Sequence, residues 1–318
     1  MKILITGIHG FVGTNLVNAL KQTNEIYGLD IVSPKKDGVI KTYSWEDLEK
    51  GNIPDVQAII HLAGKAHDTK NKSAADVYFK INTELTKKIF DYFSENVQIK
   101  KFIFFSSVKA AVDKVPGDIL TENVIPCPVG PYGESKVKAE EYIQKCLQET
   151  PETYSDRDVI ILRPCMIHGP GNKGNLNLLY GVVSKGIPWP LGAFENKRTF
   201  TSIDNLSVVI KGLFTTDVES GIYNMADDAA LSTNELIDVM CTAMGKKAHI
   251  WKLNKGLIKS VAKIGDFLHL PLNTLRLNKL TENYVVSNAK IKKALGLKEM
   301  PVKATEGLTK TIKSFQNQ

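Results

Sequence analysis

Tyr132 and Lys136 stand four residues apart in PYGESK, a spacing that puts both side chains on one face of a helix. Tyrosine ionises near pH 10, so it is a poor base at neutral pH unless its phenolate is stabilised. A lysine ammonium one turn away supplies that stabilisation by charge. Such a pair can take a proton from a substrate hydroxyl and give it back. On its own the spacing equally suits an ordinary helix N-terminal aromatic beside a lysine. The rest of the chain decides between the two.

A second group of residues points to a nucleotide. Gly7, Gly10 and Gly13 of TGIHGFVG lie between an apolar strand, ILIT, and an amphipathic helix, FVGTNLVNALK. Glycine there allows the turn, lets backbone amides approach a pyrophosphate and lets the helix pack on the sheet. Asp30 ends the next strand, EIYGLD, 17 residues beyond Gly13. That is about where an acidic group accepts hydrogen bonds from an adenosine ribose. The bland alternative is a βα turn with a surface aspartate. A carboxylate at that ribose repels a 2′-phosphate, so NAD is expected over NADP. Lys35 and Lys36 sit close enough to soften the choice.

These groups need a scaffold. VQAIIHLAG (56–64), KKFIFFSS (100–107) and DVIILRP (158–164) are nearly continuous in apolar character, which suits parallel strands covered on both faces. Helical patterns separate them: one long helix from 74 to 97 and another from about 132 to 149. This alternation predicts an α/β fold with a doubly wound parallel sheet of Rossmann type. Beyond Arg163 the character changes, with turn signals in HGPGNKGN and GIPWPLG, strands at RTFTSI and GIYNMAD, and a capping-box pattern at Ser232 and Glu235. The expected division is a dinucleotide-binding domain over 1–167 and a smaller, partly interleaved substrate domain over 168–318, some segments of which return to the first. The tail from 252 reads as helical, Lys-rich and amphipathic, packing on one side and solvated on the other.

Composition narrows the partners. The chain has 318 residues, 43% hydrophobic and 24% charged, with 41 Lys+Arg against 34 Asp+Glu and a formal charge of +7. The basic residues are dispersed, with no stripe interleaved with aromatics, so no nucleic-acid partner is expected. An anionic small substrate is compatible. No run approaches the ~20 apolar residues of a membrane-spanning helix, and Met1 leads straight into a strand, so no membrane partner and a cytoplasmic address are expected. Cys127, Cys146, Cys165 and Cys241 show no paired spacing, so neither disulfides nor a metal site is expected.

TGIHGFVG, HLAG (61–64), FSS (105–107) and YGESK (132–136), in that order, resemble the extended short-chain dehydrogenase/reductase family, and more narrowly its nucleotide-sugar epimerase/dehydratase branch. The resemblance covers essentially the whole chain. It implies NAD-dependent oxidoreduction at carbon 4 of a UDP-hexose or UDP-N-acetylhexosamine, with Ser107, Tyr132 and Lys136 as the catalytic group. Ser107 would hydrogen-bond the reacting oxygen, and Ser106 is the neighbour that could be mistaken for it. Lys136 would also hold the nicotinamide ribose. The same resemblance places Phe11, Val12, Ile31, Leu62, Ala63, Gly64 and Asn82 along the cofactor, and Lys109, Asn175, Arg198 and Tyr284 toward the sugar nucleotide. A bland reading keeps Asn175 in a loop, Tyr284 in the core, and Arg198 paired with a surface carboxylate such as Glu195.

Two departures refine the expectation. Ser107 is followed by Val108 and Lys109 rather than the acidic pair of 4,6-dehydratases, which disfavours water elimination. Pro164, Cys165 and Met166 follow Arg163 where many epimerases have a sugar-contacting asparagine. SSVK, RPCMIHGPGNKGN and WPLGAFENKRTF look closest to 4-ketoreductases of UDP-4-keto-6-deoxy-N-acetylhexosamines in polysaccharide precursor synthesis. That activity is one alternative, and a non-catalytic dinucleotide sensor is another. Related proteins pair their two long helices across a two-fold axis, so a homodimer is expected.

Overall fold

In the computed structural model, residues 1–65, 74–268 and 273–316 are described, apart from the side chain of residue 275. The first elements are β1 (Lys2–Thr6), α1 (Phe11–Leu20), β2 (Glu25–Leu29), β3 (Lys41–Tyr43), α2 (Trp45–Glu49) and β4 (Ala58–His61). Then come α3 (Ala75–Tyr78), α4 (Leu85–Glu95), β5 (Lys101–Phe105), α5 (Val108–Ala111), α6 (Pro131–Glu149) and β6 (Asp158–Pro164). The remainder holds β7 (Met166–His168), α7 (Asn175–Val183), β8 (Phe200–Ser202), α8 (Ile203–Thr215), β9 (Gly221–Met225) and α9 (Thr233–Ala243). Four helices close the chain: α10 (Lys255–Leu268), α11 (Thr274–Thr281), α12 (Ala289–Ala294) and α13 (Ala304–Gln316).

Seven strands form one sheet in the order β3-β2-β1-β4-β5-β6-β9, and all of its pairs are parallel. Successive side chains of a strand face opposite ways. Ile3 and Ile5 therefore enter one core with Leu16, Val17 and Leu206, while Leu4 enters the other with Phe90, Phe102 and Ile143. Both faces are covered, which is why these strands read as unbroken apolar runs. Segments beyond residue 168 return to this body: α8 lies against α1, and β9 pairs with β6. A smaller core joins Leu176, Leu236, Met240, Leu308 and Ile312 beside the short β7–β8 pair.

Strand order reverses between β1 and β4, and such a switch point opens a crevice at the carboxyl ends of the strands. Gly7 follows β1, Asp30 follows β2, Leu62 follows β4 and Ser106 follows β5. All four therefore stand at the rim of one crevice.

The helix expected from 74 to 97 is not uniform. Between α3 and α4, Phe79–Glu84 is wound as a π-helix. The extra residue per turn accompanies a buried Asn82 whose side chain reaches both Lys65 and Ser135. π-turns within α-helices occur often at functional sites. No helix among the described residues is long and apolar enough to cross a membrane.

Candidate functional site

At the nucleotide end the loop is tightly built. Gly7 has φ 67°, and a Cβ there would lie 2.9 Å from the backbone of Ala63. A Cβ on Gly13 would lie 2.7 Å from the carbonyl oxygens of Gly7 and Ile8. Any other residue at either position would push the loop off its strand. Gly10 precedes α1 and no side chain caps that helix, so the leading amides of Phe11, Val12 and Gly13 remain available to an anion. Phe11 itself packs toward Gly169 and Gly171.

The Asp30 carboxylate is held on both oxygens, by the His9 amide at 3.0 Å and the Ile31 amide at 2.7 Å, while the Ile31 side chain is exposed. Lys36 lies across the glycine loop and donates to the Ile8 carbonyl at 2.7 Å and to Thr14 Oγ1 at 2.8 Å. Burial lowers the Lys36 pKa, and Asp30 opposes that shift. The loop, the fixed carboxylate and the uncapped helix start fit a dinucleotide. Replacing Asp30 by alanine should weaken NAD binding and relax rejection of NADP, because an acceptor and a repelling charge are lost while Lys36 stays. Titrating both cofactors into both proteins checks this, and an unchanged preference would mean that Asp30 does not face the ribose.

Three elements bring the chemical groups together. Ser107, at the carboxyl end of β5, caps α5 by accepting from the Lys109 amide at 3.2 Å. Its side chain lies near enough to the Tyr132 hydroxyl to favour the phenolate. Gly130, at φ 85°, and Pro131 start α6 abruptly, so Tyr132 and Lys136 fall in its first turns. Gly133 between them is needed for packing, because a Cβ there would collide with the Lys109 carbonyl. Tyr132 is pushed above its ordinary pKa by burial, with Ser107 acting against that and Tyr78 adding to it. Lys136 is buried, donates to the Phe105 carbonyl at 2.8 Å, and is lowered by burial to about 8 against the pull of Glu140.

Lys136 also reaches the segment that follows β4. A Cβ on Gly64 would lie 3.0 Å from Asn82 Oδ1 and 3.1 Å from Lys136 Nζ. Only glycine leaves that space open. The Ala63 amide is fixed by Thr6 Oγ1 at 2.9 Å, and Leu62 packs against the core beneath. Asn82 accepts from the Lys65 amide at 2.7 Å and donates to Ser135 Oγ at 3.0 Å. It thereby ties the end of β4 to the turn of α6 that carries Tyr132 and Lys136.

Sequence reasoning missed the layer beneath. Glu140 lies one turn beyond Lys136 on α6 and forms a fully buried pair with Arg163, at 2.9 Å to Nε and 2.5 Å to Nη2. Ser106 also donates to Glu140, so its hydroxyl is engaged in this buried pair. The signal was present in the steps 132, 136 and 140, all on one helix face. His61 likewise shows no local signal of its own within HLAG. It is buried between Thr6 Oγ1 at 2.7 Å and Thr86 Oγ1 at 2.9 Å, and burial holds its pKa well down.

The substrate-side residues separate. Tyr284 is buried, and its hydroxyl lies 2.8 Å from the Val112 carbonyl and 3.1 Å from that of Val108. It belongs to a small core with Ala111, Cys165 and Val286, and its proton is directed to the carbonyls of the segment after Ser107. Lys109 stands 4.4 Å above its ring and pairs with Asp113 at 3.0 Å. Asn175 is the exposed first residue of α7. Arg198 pairs at 2.9 Å with Glu282, a half-buried partner, rather than with Glu195.

Residues 3–226 match the sequence family described as the NAD dependent epimerase/dehydratase family. A UDP-glucose 4-epimerase from Vibrio cholerae is 29% identical over 264 residues, which cover 79% of this chain and 77% of that protein. An N-acetyl-alpha-D-glucosaminyl-diphospho-ditrans,octacis-undecaprenol 4-epimerase from Escherichia coli O157:H7 is 28% identical over 256 residues, covering 77% and 73%. Among solved structures, UDP-N-acetylglucosamine 4-epimerase from Bacillus cereus aligns over 100% of both chains with a TM-score of 0.76 at 19% identity. That structural likeness speaks to the fold.

Proposed function

The chain belongs to the NAD dependent epimerase/dehydratase family, and from that premise we propose that it interconverts the carbon-4 epimers of a UDP-hexose or UDP-N-acetylhexosamine. The observation that carries this reading is that Ser107 lies beside Tyr132, with Lys136 one turn further along α6 and its Nζ at the space Gly64 leaves open, at the rim that also holds the glycine loop. Ser107 and Tyr132 hold the carbon-4 hydroxyl of the sugar. Tyr132 accepts its proton during oxidation and returns it during reduction. Lys136 supplies the positive charge that makes the phenolate accessible. NAD, when bound, supplies reversible hydride acceptance at carbon 4. Inversion then needs the ketone to present its other face before reduction. Incubation with a panel of UDP-hexoses, followed by product analysis, tests the reading.

A second reading is a 4-ketoreductase of a UDP-4-keto-6-deoxy-N-acetylhexosamine, favoured by the run from Arg163 to Met166. Cys165 there is buried, with Sγ 3.2 Å from Thr199 Oγ1, and supplies no sugar-facing amide. The two readings differ in cofactor handling. Purified protein that retains NAD through turnover supports the epimerase, whereas exchange of reduced cofactor in every cycle supports the reductase.

Arg198 is proposed to grip the substrate diphosphate, leaving Glu282 to do so, because its planar fork meets phosphate oxygens in pairs. Such a contact is present in ground and transition states alike, so Arg198→Ala should raise KM more than it lowers kcat. The scale is a charged hydrogen bond of ~1.5–3 kcal/mol, and lysine should rescue only in part. Steady-state kinetics with UDP competition checks this; an unaltered KM would leave Arg198 with a purely structural ion pair.

The assembly proposed is a two-fold homodimer formed through α4 and α6. These helices already lie side by side, with Tyr142 of α6 bonded to Asp91 and 5.7 Å from Lys87 Nζ on α4. Light scattering at micromolar concentration should give twice the chain mass, and a strictly monomeric mass would refute the dimer.

A further inference from the structure

Helix α10 carries an apolar row that the fold leaves uncovered. Its inner side, Ile258 and Ala262, seats on Leu191 and Leu277. That packing accounts for only part of the helix. Leu257, Val261, Ile264 and Leu268 recur at steps of four, three and four, and are 58%, 40%, 55% and 56% exposed. Phe267 beside them is 83% exposed. Scattered exposed apolar side chains are ordinary, but a contiguous row on one helix marks an interaction surface.

Charge identifies the partner. Lys255, Lys259 and Lys263 recur at steps of four on the side away from the row, and all are exposed. Trp251 and Lys252, exposed as well, lead into the helix. The acidic residue of α10, Asp266, is engaged by Thr274, with the amide at 2.9 Å and Oγ1 at 2.5 Å. The helix therefore presents leucine, isoleucine, valine and phenylalanine on one side and, on the other, lysines with no acidic partner among the described residues, with a tryptophan adjacent. Segments of this make-up lie in the plane of a membrane interface. A protein groove that took the apolar row would leave the lysines in water. Anionic headgroups border the acyl layer on both flanks of a half-sunk helix, and long lysine side chains reach them.

We propose that α10 docks this protein on an anionic phospholipid surface, its apolar row entering the acyl boundary and its lysines meeting the headgroup phosphates. No helix among the described residues is long and apolar enough to cross a membrane, and a helix lying in the interface needs no such run. Leu191 beneath the helix, and Phe194, whose ring lies 6.0 Å from Lys255 Nζ, belong to the segment that leads to Arg198. Attachment through α10 thus holds that segment close to the bilayer. The inference does not depend on the reaction proposed above.

The test is flotation of the purified full chain with vesicles of phosphatidylcholine alone and of phosphatidylcholine mixed with phosphatidylglycerol. The protein should float with the anionic vesicles and be released by high salt. Lys259→Ala should weaken binding roughly fivefold. The double variant Ile264→Asp with Phe267→Asp should stay in the bottom fraction while binding NAD like wild type, which shows that it is folded. Three results would each overturn the proposal. These are failure of the wild type to float with anionic vesicles at low salt, flotation that survives in the double variant, and loss in that variant of self-association rather than of lipid binding.

Discussion

Tyr132→Phe should lower turnover of the true substrate by roughly 10²–10⁴-fold, the usual contribution of a positioned acid/base group, while leaving NAD binding nearly intact. The change deletes one oxygen from a half-buried ring whose packing against Tyr78, at a centroid separation of 6.4 Å, is otherwise kept. It leaves the glycine loop and Asp30 untouched. In the protein alone the phenol is a weaker acid than usual, chiefly because burial disfavours its anion. On the proposed mechanism, charge that arrives with the ligands and the Lys136 ammonium together make the phenolate accessible. Loss of rate with unchanged cofactor affinity, measured by single-turnover kinetics and NAD titration, is the expected signature. Wild-type turnover in the phenylalanine variant would remove Tyr132 from the chemistry.

Lys136→Met should be nearly as severe, about 10²–10³-fold on the scale of a preorganised charge removed from a water-excluded site. Methionine fills much of the same volume, and Glu140 keeps its pairing with Arg163, so the fold should survive. The lysine also predicts a pH dependence with a definite sign. Its pKa is lowered from the usual lysine range to about 8, first by burial. The ammonium is present below that value and lost as pH rises through it, so activity should fall on the alkaline side near pH 8. Glu140 raises this pKa. Glu140→Gln should therefore move the alkaline limb to lower pH, which a pH profile of kcat/KM reads directly. A limb that stays in place would mean that Lys136 is not the group titrating.

Much of the scaffold is legible in the sequence itself. Strands buried on both faces betray themselves as unbroken apolar runs, and the glycines of the first turn are dictated by backbone clearance that no other residue provides. What stayed hidden depended on partners distant in the chain. The π-helical stretch at Phe79–Glu84 reads as plain helix because the reason for it, the reach of Asn82 to Lys65 and Ser135, is tertiary. Arg198 finds Glu282, 84 residues away, and local pattern cannot choose between that carboxylate and the nearer Glu195. Tyr284 looks as suited to a pocket as to a core until the carbonyls of Val108 and Val112 claim its hydroxyl. Glu140 and Arg163 were missed for a different reason. Buried charges are rare enough that a helix glutamate is read as solvated by default.

The most direct measurement is the fate of deuterium at carbon 4. Purified protein carrying NAD is incubated with UDP-hexose and UDP-N-acetylhexosamine labelled at that carbon, and the products are followed by nuclear magnetic resonance. Oxidation and reduction at carbon 4 within one site predict a 4-epimer that retains the label at carbon 4, with no net consumption of cofactor. Absence of any 4-epimer from both substrates, or an epimer that has exchanged its label with solvent, would contradict the account.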